Sequence, residues 1–260
     1  MLAIRLILLL LLIAPAGSVG LFGQERGSLE MSGRVRAGGK LEKIKRKRFY
    51  LFRGGLEANK PLIDRIKAAE FTSRDCYYCS QKVSPEYIAW LNAEDCESPY
   101  CRAISTEDVA KVPEFQAAYN KGLQQFRNKP DLARAWLTTN LTPILRNGFY
   151  DKQKLAVETM LGGVKPIQSS MTDSVSVVAI FLDIPLQLAG KDSETFMVSN
   201  VVPIEVGGKA VVWACEIDVG SGKKVKLRPF SVPDKSGTTK DCEIVVRDLP
   251  ACTGGSCPTK

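Results

Sequence analysis

Eight cysteines are the most reactive side chains of this 260-residue chain, and they fall in two sets of four: Cys76, Cys79, Cys96, Cys101, and Cys215, Cys242, Cys252, Cys257. The spacing Cys76-Tyr-Tyr-Cys79 matches a redox dithiol or half of a zinc site, with Cys96 and Cys101 as the second half. A redox dithiol follows a strand and sits at a helix N-terminus that lowers a thiol pKa, and Thr72-Ser-Arg-Asp75 provides no strand. The spacing Cys96-x4-Cys101 is loose for zinc. Even counts in each set instead predict disulfides, with the first four bridging among themselves, Cys215 meeting Cys242, and Cys252 closing on Cys257.

The chain has no histidine, which removes Ser-His and Cys-His triads, imidazole zinc sites and covalent haem attachment through C-x-x-C-H. Hydrolysis would have to use carboxylates, lysine or bound metal. Ser221-x-x-Lys224, with Lys235-Ser-Gly237 further on, resembles elements of the penicillin-recognising enzymes. That family places its serine at a helix start with a Ser-x-Asn element between the two motifs, whereas Ser221 lies in a Gly-Ser-Gly turn. The same turn fails as a phosphate loop, because Ile217 takes the place of the first glycine and Lys224 that of the Ser or Thr. Glu94, Asp95, Glu97, Glu107, Asp108, Asp183 and Asp218 could pair for glycoside hydrolysis, a matter of spatial separation. Glu107 and Asp108 after Ser105 read as a helix cap. The sequence therefore assigns no catalytic residue, metal or cofactor.

The elements that position these residues begin with a leader. Arg5, the apolar run 6–13 and the small residues Ala14-Pro-Ala16 and Ser18-Val-Gly20 form the layout of a signal peptide over residues 1–20. The apolar run is shorter than the roughly 20 residues a membrane span needs. Export, to a periplasmic or extracellular location, is expected, and there disulfides persist.

Charge is concentrated. Between Arg26 and Lys67 stand thirteen Lys and Arg against four Asp and Glu, while the whole chain carries only +8. At the centre, Lys43, Lys45, Arg46, Lys47 and Arg48 precede an aromatic strand ending at Arg53. These six residues are the predicted binding patch. For an exported protein the matching partners are an anionic cell-envelope polymer or a protein, with membrane contact at most peripheral, and not nucleic acid or nucleotide. The same lysines also suit a sheet edge that resists aggregation.

Leu29 to Arg36 and Arg48 to Gly54 read as strands around a turn at Gly38-Gly39, a first hairpin within residues 28–58. Across 59–163 prolines 61, 85, 113, 130 and 143 stand where helices begin. Phe115, Tyr119, Leu123 and Phe126, and then Leu145, Phe149, Ala156 and Met160, recur at helical intervals. From 174 to 250 β-branched runs return, with a hairpin turn at Gly207-Gly208, before a tail at 251–260. Ser32-Gly-Arg-Val-Arg-Ala-Gly-Gly-Lys40 resembles the start of prealbumin-like modules, over about ten residues. The expected fold is α+β: a β-sandwich of the N-terminal hairpin and C-terminal strands, carrying a helical insertion of about 100 residues and the four early cysteines. The function expected is that of an exported, disulfide-stabilised binding protein, the alternatives being a histidine-independent hydrolase or a thiol-disulfide protein using Cys76 and Cys79. Exported material is expected to begin after Ala16 or Gly20 by intact mass, and to take up iodoacetamide only after reduction.

Overall fold

A computed structural model describes residues 25–227, 231–233, 235–238, 241–250 and 252. The expected leader and Cys257 lie outside these residues. The protein is α+β with open, mixed sheets. One sheet runs β10 (Lys224–Leu227), β1 (Arg26–Ser32), β6 (Val178–Pro185), and a second runs β11 (Ser231–Val232), β2 (Arg34–Ala37), β3 (Lys40–Lys43). The largest orders β12 (Gly237–Thr238), β13 (Cys242–Asp248), β9 (Lys209–Gly220), β7 (Ser193–Ser199), β4 (Arg48–Arg53) and β5 (Gln168–Met171), with β8 (Ile204–Val206) also on β9. β10 on β1 and β11 on β2 are parallel; the other pairs are antiparallel.

The large sheet is buried on both faces, and strict alternation decides which residue goes where. Phe49 and Leu51, Phe196 and Val198, Val211 and Trp213, and Ile244 point to one core, which they share with Leu29 and Met31 of β1, Val35 of β2, and Phe181 of β6. Their neighbours Phe52, Met197, Val212 and Val245 point the other way, onto Leu62, Ile63 and Ile66 of α1 (Lys60–Ala68). Asn200, fully buried just after β7, completes this sheet. Its Oδ1 accepts from Trp213 N at 2.8 Å, and its Nδ2 donates to the carbonyls of Val202 and Val211 at 2.8 and 2.9 Å.

All helices among the described residues lie between β4 and β5, strands that are neighbours in one sheet. After α1 come α2 (Arg74–Ser80), α3 (Pro85–Ala93), α4 (Thr106–Lys111), α5 (Pro113–Gln125), α6 (Pro130–Ala135), α7 (Leu137–Asn140), and a π-helical turn, Ile144–Gly148, leading into α8 (Phe149–Leu161). Proline opens α3, α5 and α6, where its missing N–H leaves no bond unmade. Ser105 and Asp108 form the expected capping box of α4. These helices have their own core, a chain of edge-on rings from Tyr78 to Tyr87, Phe115 and Trp90. Two guanidinium groups hold these parts together: Arg65 of α1 binds the last carbonyls of α8 at 2.8 and 2.9 Å within the helical block, and Arg247 of β13 docks α1 on the sheet by binding its last carbonyls. Cations at helix C-termini also answer the helix dipole.

Three sequence expectations change. Leu29–Arg36 and Arg48–Gly54 do not pair with each other. The Gly38-Gly39 turn, both residues at positive φ, joins β2 to β3, and β4 goes to the large sheet. Residues 72–80 hold a helix, because the Ser73 hydroxyl accepts from Cys76 N at 3.1 Å and starts one where no apolar periodicity announces it. The disulfides do not stay within their sets. Cys96 bridges Cys101 and Cys215 bridges Cys242 across β9 and β13, but Cys76 bridges Cys252, 176 residues away. Pro250 and Cys252 return to α2, and that tertiary path, invisible to local counting, overrides pairing by proximity in sequence.

Replacing Asn200 by Ala should strand the Trp213 N–H and two carbonyls in the interior. The expected loss is about 2–3 kcal/mol in urea denaturation of the folded chain, against less than 1 kcal/mol for a control at an exposed position such as Gln124→Ala.

Candidate functional site

The basic segment after β3 is the crossover from the second sheet to the large one. Arg46, at φ +55, donates its backbone N–H to Thr172 O at 2.9 Å, while Lys47 N donates to the Thr172 hydroxyl and Thr172 N donates to Lys47 O, both at 3.0 Å. That path drives the Lys47 side chain inward, to 7% exposure. An ammonium cannot stay there unpaired. Glu97 meets it at 2.6 Å and Asp95 stands at 3.7 Å, both from the connection between α3 and α4 that the Cys96–Cys101 bridge pins. Burial opposes the Lys47 charge, but the two carboxylates outweigh burial and hold the ammonium above the ordinary lysine value.

A second buried cation extends this junction. Arg74 opens α2, donates to Cys96 O at 2.9 Å, and lies 3.2 Å from Asp75 and 3.6 Å from Asp95. Asn92 receives another of its donors and itself donates to Asp75 at 3.0 Å. The Arg74 backbone N–H donates to Glu205, in β8, at 2.8 Å. Sheet and helices thus meet through a polar network in which every charge has a partner.

Beside it opens a cleft of about 210 Å³. Its floor is Arg46, Lys47, Arg48 and Glu97; one wall is Tyr150, Gln153, Lys154, Val157 and Glu158, one face of α8 at helical spacing; the other is Tyr50, Met171 and the loop from Asn200 to Ile204. Burial raises the Tyr50 phenol, against the opposing charge of Arg48 and with the neighbouring Tyr150 adding to the rise. Four cations face two carboxylates here, and Glu97 is already taken by Lys47. Arg46 donates to Glu94 O at 2.6 Å and Arg48 to Ser169 Oγ at 3.0 Å, neutral acceptors that fix the guanidinium groups without neutralising them. Such a cleft can hold an anion between cations, with two rings and an apolar wall for its uncharged part.

The six predicted residues therefore separate. Arg46, Lys47 and Arg48 line the cleft. Lys45 is half-buried beside them, and Lys43 points outward from β3. Arg53 is elsewhere, paired with Glu194, donating to Pro185 O at 2.9 Å and lying over the Phe196 ring. Tyr150, Lys154 and Glu158 were missed. Their i, i+4, i+8 spacing is visible in the sequence, but nothing there places that face beside β4.

Several of the other candidates have structural partners. Cys76 is bridged to Cys252 and Cys79 is also disulfide-bonded, so the C-x-x-C pair is not bridged to itself. Ser221 is exposed in the β9–β10 turn, and Lys224 pairs with Glu30. Asp218 accepts from the Thr195 hydroxyl at 2.6 Å. Burial works against the Asp108 charge, yet hydrogen bonds from Arg102 and Ser105 outweigh it and hold that carboxyl well below the usual range. Asp173 is held low by Ser176 and the N–H groups of 175–178. A general acid requires displacement the other way. No family model, curated protein or solved structure matches the chain.

Because Lys47 has a higher pKa folded than unfolded, its contribution to stability is complete below the ordinary lysine value of 10.5 and is lost as pH rises through the folded value. Urea denaturation from neutral pH upward should show that loss only above about pH 10. Lys47→Met should remove this part of the alkaline decline, and an unchanged decline would show that the ammonium is not paired in solution.

Proposed function

We propose that this chain is an exported, disulfide-stapled binding module of the cell envelope, and that the cleft at Arg46 and Arg48 holds an anionic envelope polymer. In this reading the strands before and after the helices act as one sandwich-like frame, and residues 59–163 are an insertion that supplies the α8 wall. The signal-peptide layout supports export, and the three disulfides among the described residues fit an oxidising compartment.

The observation that carries the reading is the inequality among the cations. Lys47 and Arg53 are neutralised by carboxylates, whereas Arg46 and Arg48 are positioned by neutral oxygens and keep their full charge toward the cleft, joined by Lys154. A repeating polyanion would place one acidic group there and lay its uncharged ring against Tyr50 or Tyr150, as sugars do on aromatic faces. Its remaining charges would follow the basic segment.

The test titrates the mature protein with polygalacturonate and with neutral dextran at about 20 mM and about 500 mM salt. Polygalacturonate should bind and dextran should not. The affinity should fall at least tenfold at the higher salt, and at least tenfold at low salt in an Arg46→Gln/Arg48→Gln variant with an unchanged circular dichroism spectrum. Equal binding of both polymers, or equal binding by the variant, overturns the proposal.

A further inference from the structure

The outer face of the β2–β3 hairpin carries a charge arrangement that its own fold disfavours. Register places Arg34 directly opposite Lys43, and Arg36 opposite Leu41. Val35 and Ala37 take the inward positions and are buried in the core, so Arg34, Arg36, Leu41 and Lys43 all stand on the solvent face. Like charges facing each other across a ladder repel. Among the described residues no carboxylate lies within ion-pair distance of Arg34, Arg36 or Lys43. Glu42, the acid of this hairpin, turns inward and accepts from Gly207 N at 3.0 Å.

In the midst of these cations Leu41 is 58% exposed. The tip stands clear of the molecule: a Cβ added to Gly38 or Gly39 would meet nothing within 4 Å. A short hairpin with a free tip, three cations without a carboxylate partner among the described residues on one face, and an aliphatic side chain between them matches a surface of closely spaced phosphates over a hydrocarbon layer. A soluble anion would satisfy the charges but give Leu41 no place to go. We infer that this hairpin face is a docking surface for an anionic lipid bilayer, with the phosphates bound between Arg34, Arg36 and Lys43, and with Leu41 entering the boundary beneath them. It shares no residue with the cleft and stands whether or not the cleft takes a polymer.

Flotation of the mature full-length chain with vesicles tests this. Wild type should float with vesicles of equal phosphatidylglycerol and phosphatidylcholine, and stay behind with phosphatidylcholine alone. Lys43→Glu replaces a repulsive cross-strand pair by an attractive one. It should therefore raise the Tm by about 1–3 °C, yet lower vesicle affinity at least tenfold, a pairing that misfolding cannot produce. Leu41→Ser should weaken binding severalfold with the salt dependence kept, and Arg46→Gln/Arg48→Gln should bind vesicles like wild type. The inference is overturned if wild type fails to float with the anionic vesicles, if Lys43→Glu floats equally well, or if only the cleft variant loses binding.

Discussion

A lysine ammonium withdrawn from water is the constraint around which this molecule is arranged. Lys47 reaches the interior because its backbone is tied to Thr172 on the way from one sheet to the next, and its charge must then be met there. Glu97 and Asp95 meet it, and they belong to the helical block. The pairing therefore sets where the α3–α4 connection lies on the sheet. Arg74 shares the same Asp95 oxygen with Lys47 and binds the Cys96 carbonyl, so α2 is oriented by the same junction. The Cys96–Cys101 bridge restrains the loop that offers these acceptors, and the Cys76–Cys252 bridge ties α2 to residue 252 beyond β13.

The cleft follows from that junction. With Lys47 turned in, its neighbours Arg46 and Arg48 project beside α8, whose own place is set by Arg65 at its C-terminus and by Met160 and Leu161 against the α1 face of the sheet. Their guanidinium groups are oriented by Glu94 O and Ser169 Oγ, and among the described residues neither has a carboxylate within ion-pair distance; oriented charge not tied up in an ion pair is what separates a binding surface from a solvated one. The same contrast holds on the β2–β3 hairpin, where the acid that could have neutralised Lys43 is turned to the Gly207 amide.

Where information is local, the sequence was readable. Proline at helix starts, the Ser105–Asp108 capping box, the glycine pairs at 38–39 and 207–208 and the return to β-branched strands after residue 174 each act within a few residues, and each element appears near its expected place. The hairpin partner of β2 was misplaced because β3 is short and charged, without the apolar alternation that marks β4. The α2 helix was missed because its start depends on one hydroxyl. In the basic patch, charge was legible but burial was not. Whether a lysine is free or spent depends on Glu97, 50 residues on, and for Arg53 on Glu194, 141 residues on. The Cys76–Cys252 pairing fails to show for the same reason.

If Lys47 and Glu97 organise the junction, they must be coupled far more strongly than an exposed pair. The decisive measurement is a double-mutant cycle, Lys47→Met with Glu97→Leu, read by urea denaturation. Each single variant should lose about 3 kcal/mol or more by stranding a buried charge, and the double variant should recover most of that loss, a coupling of about 2 kcal/mol or more. Losses that simply add would mean the pair is incidental, and that something other than the buried ammonium holds the helices to the sheet.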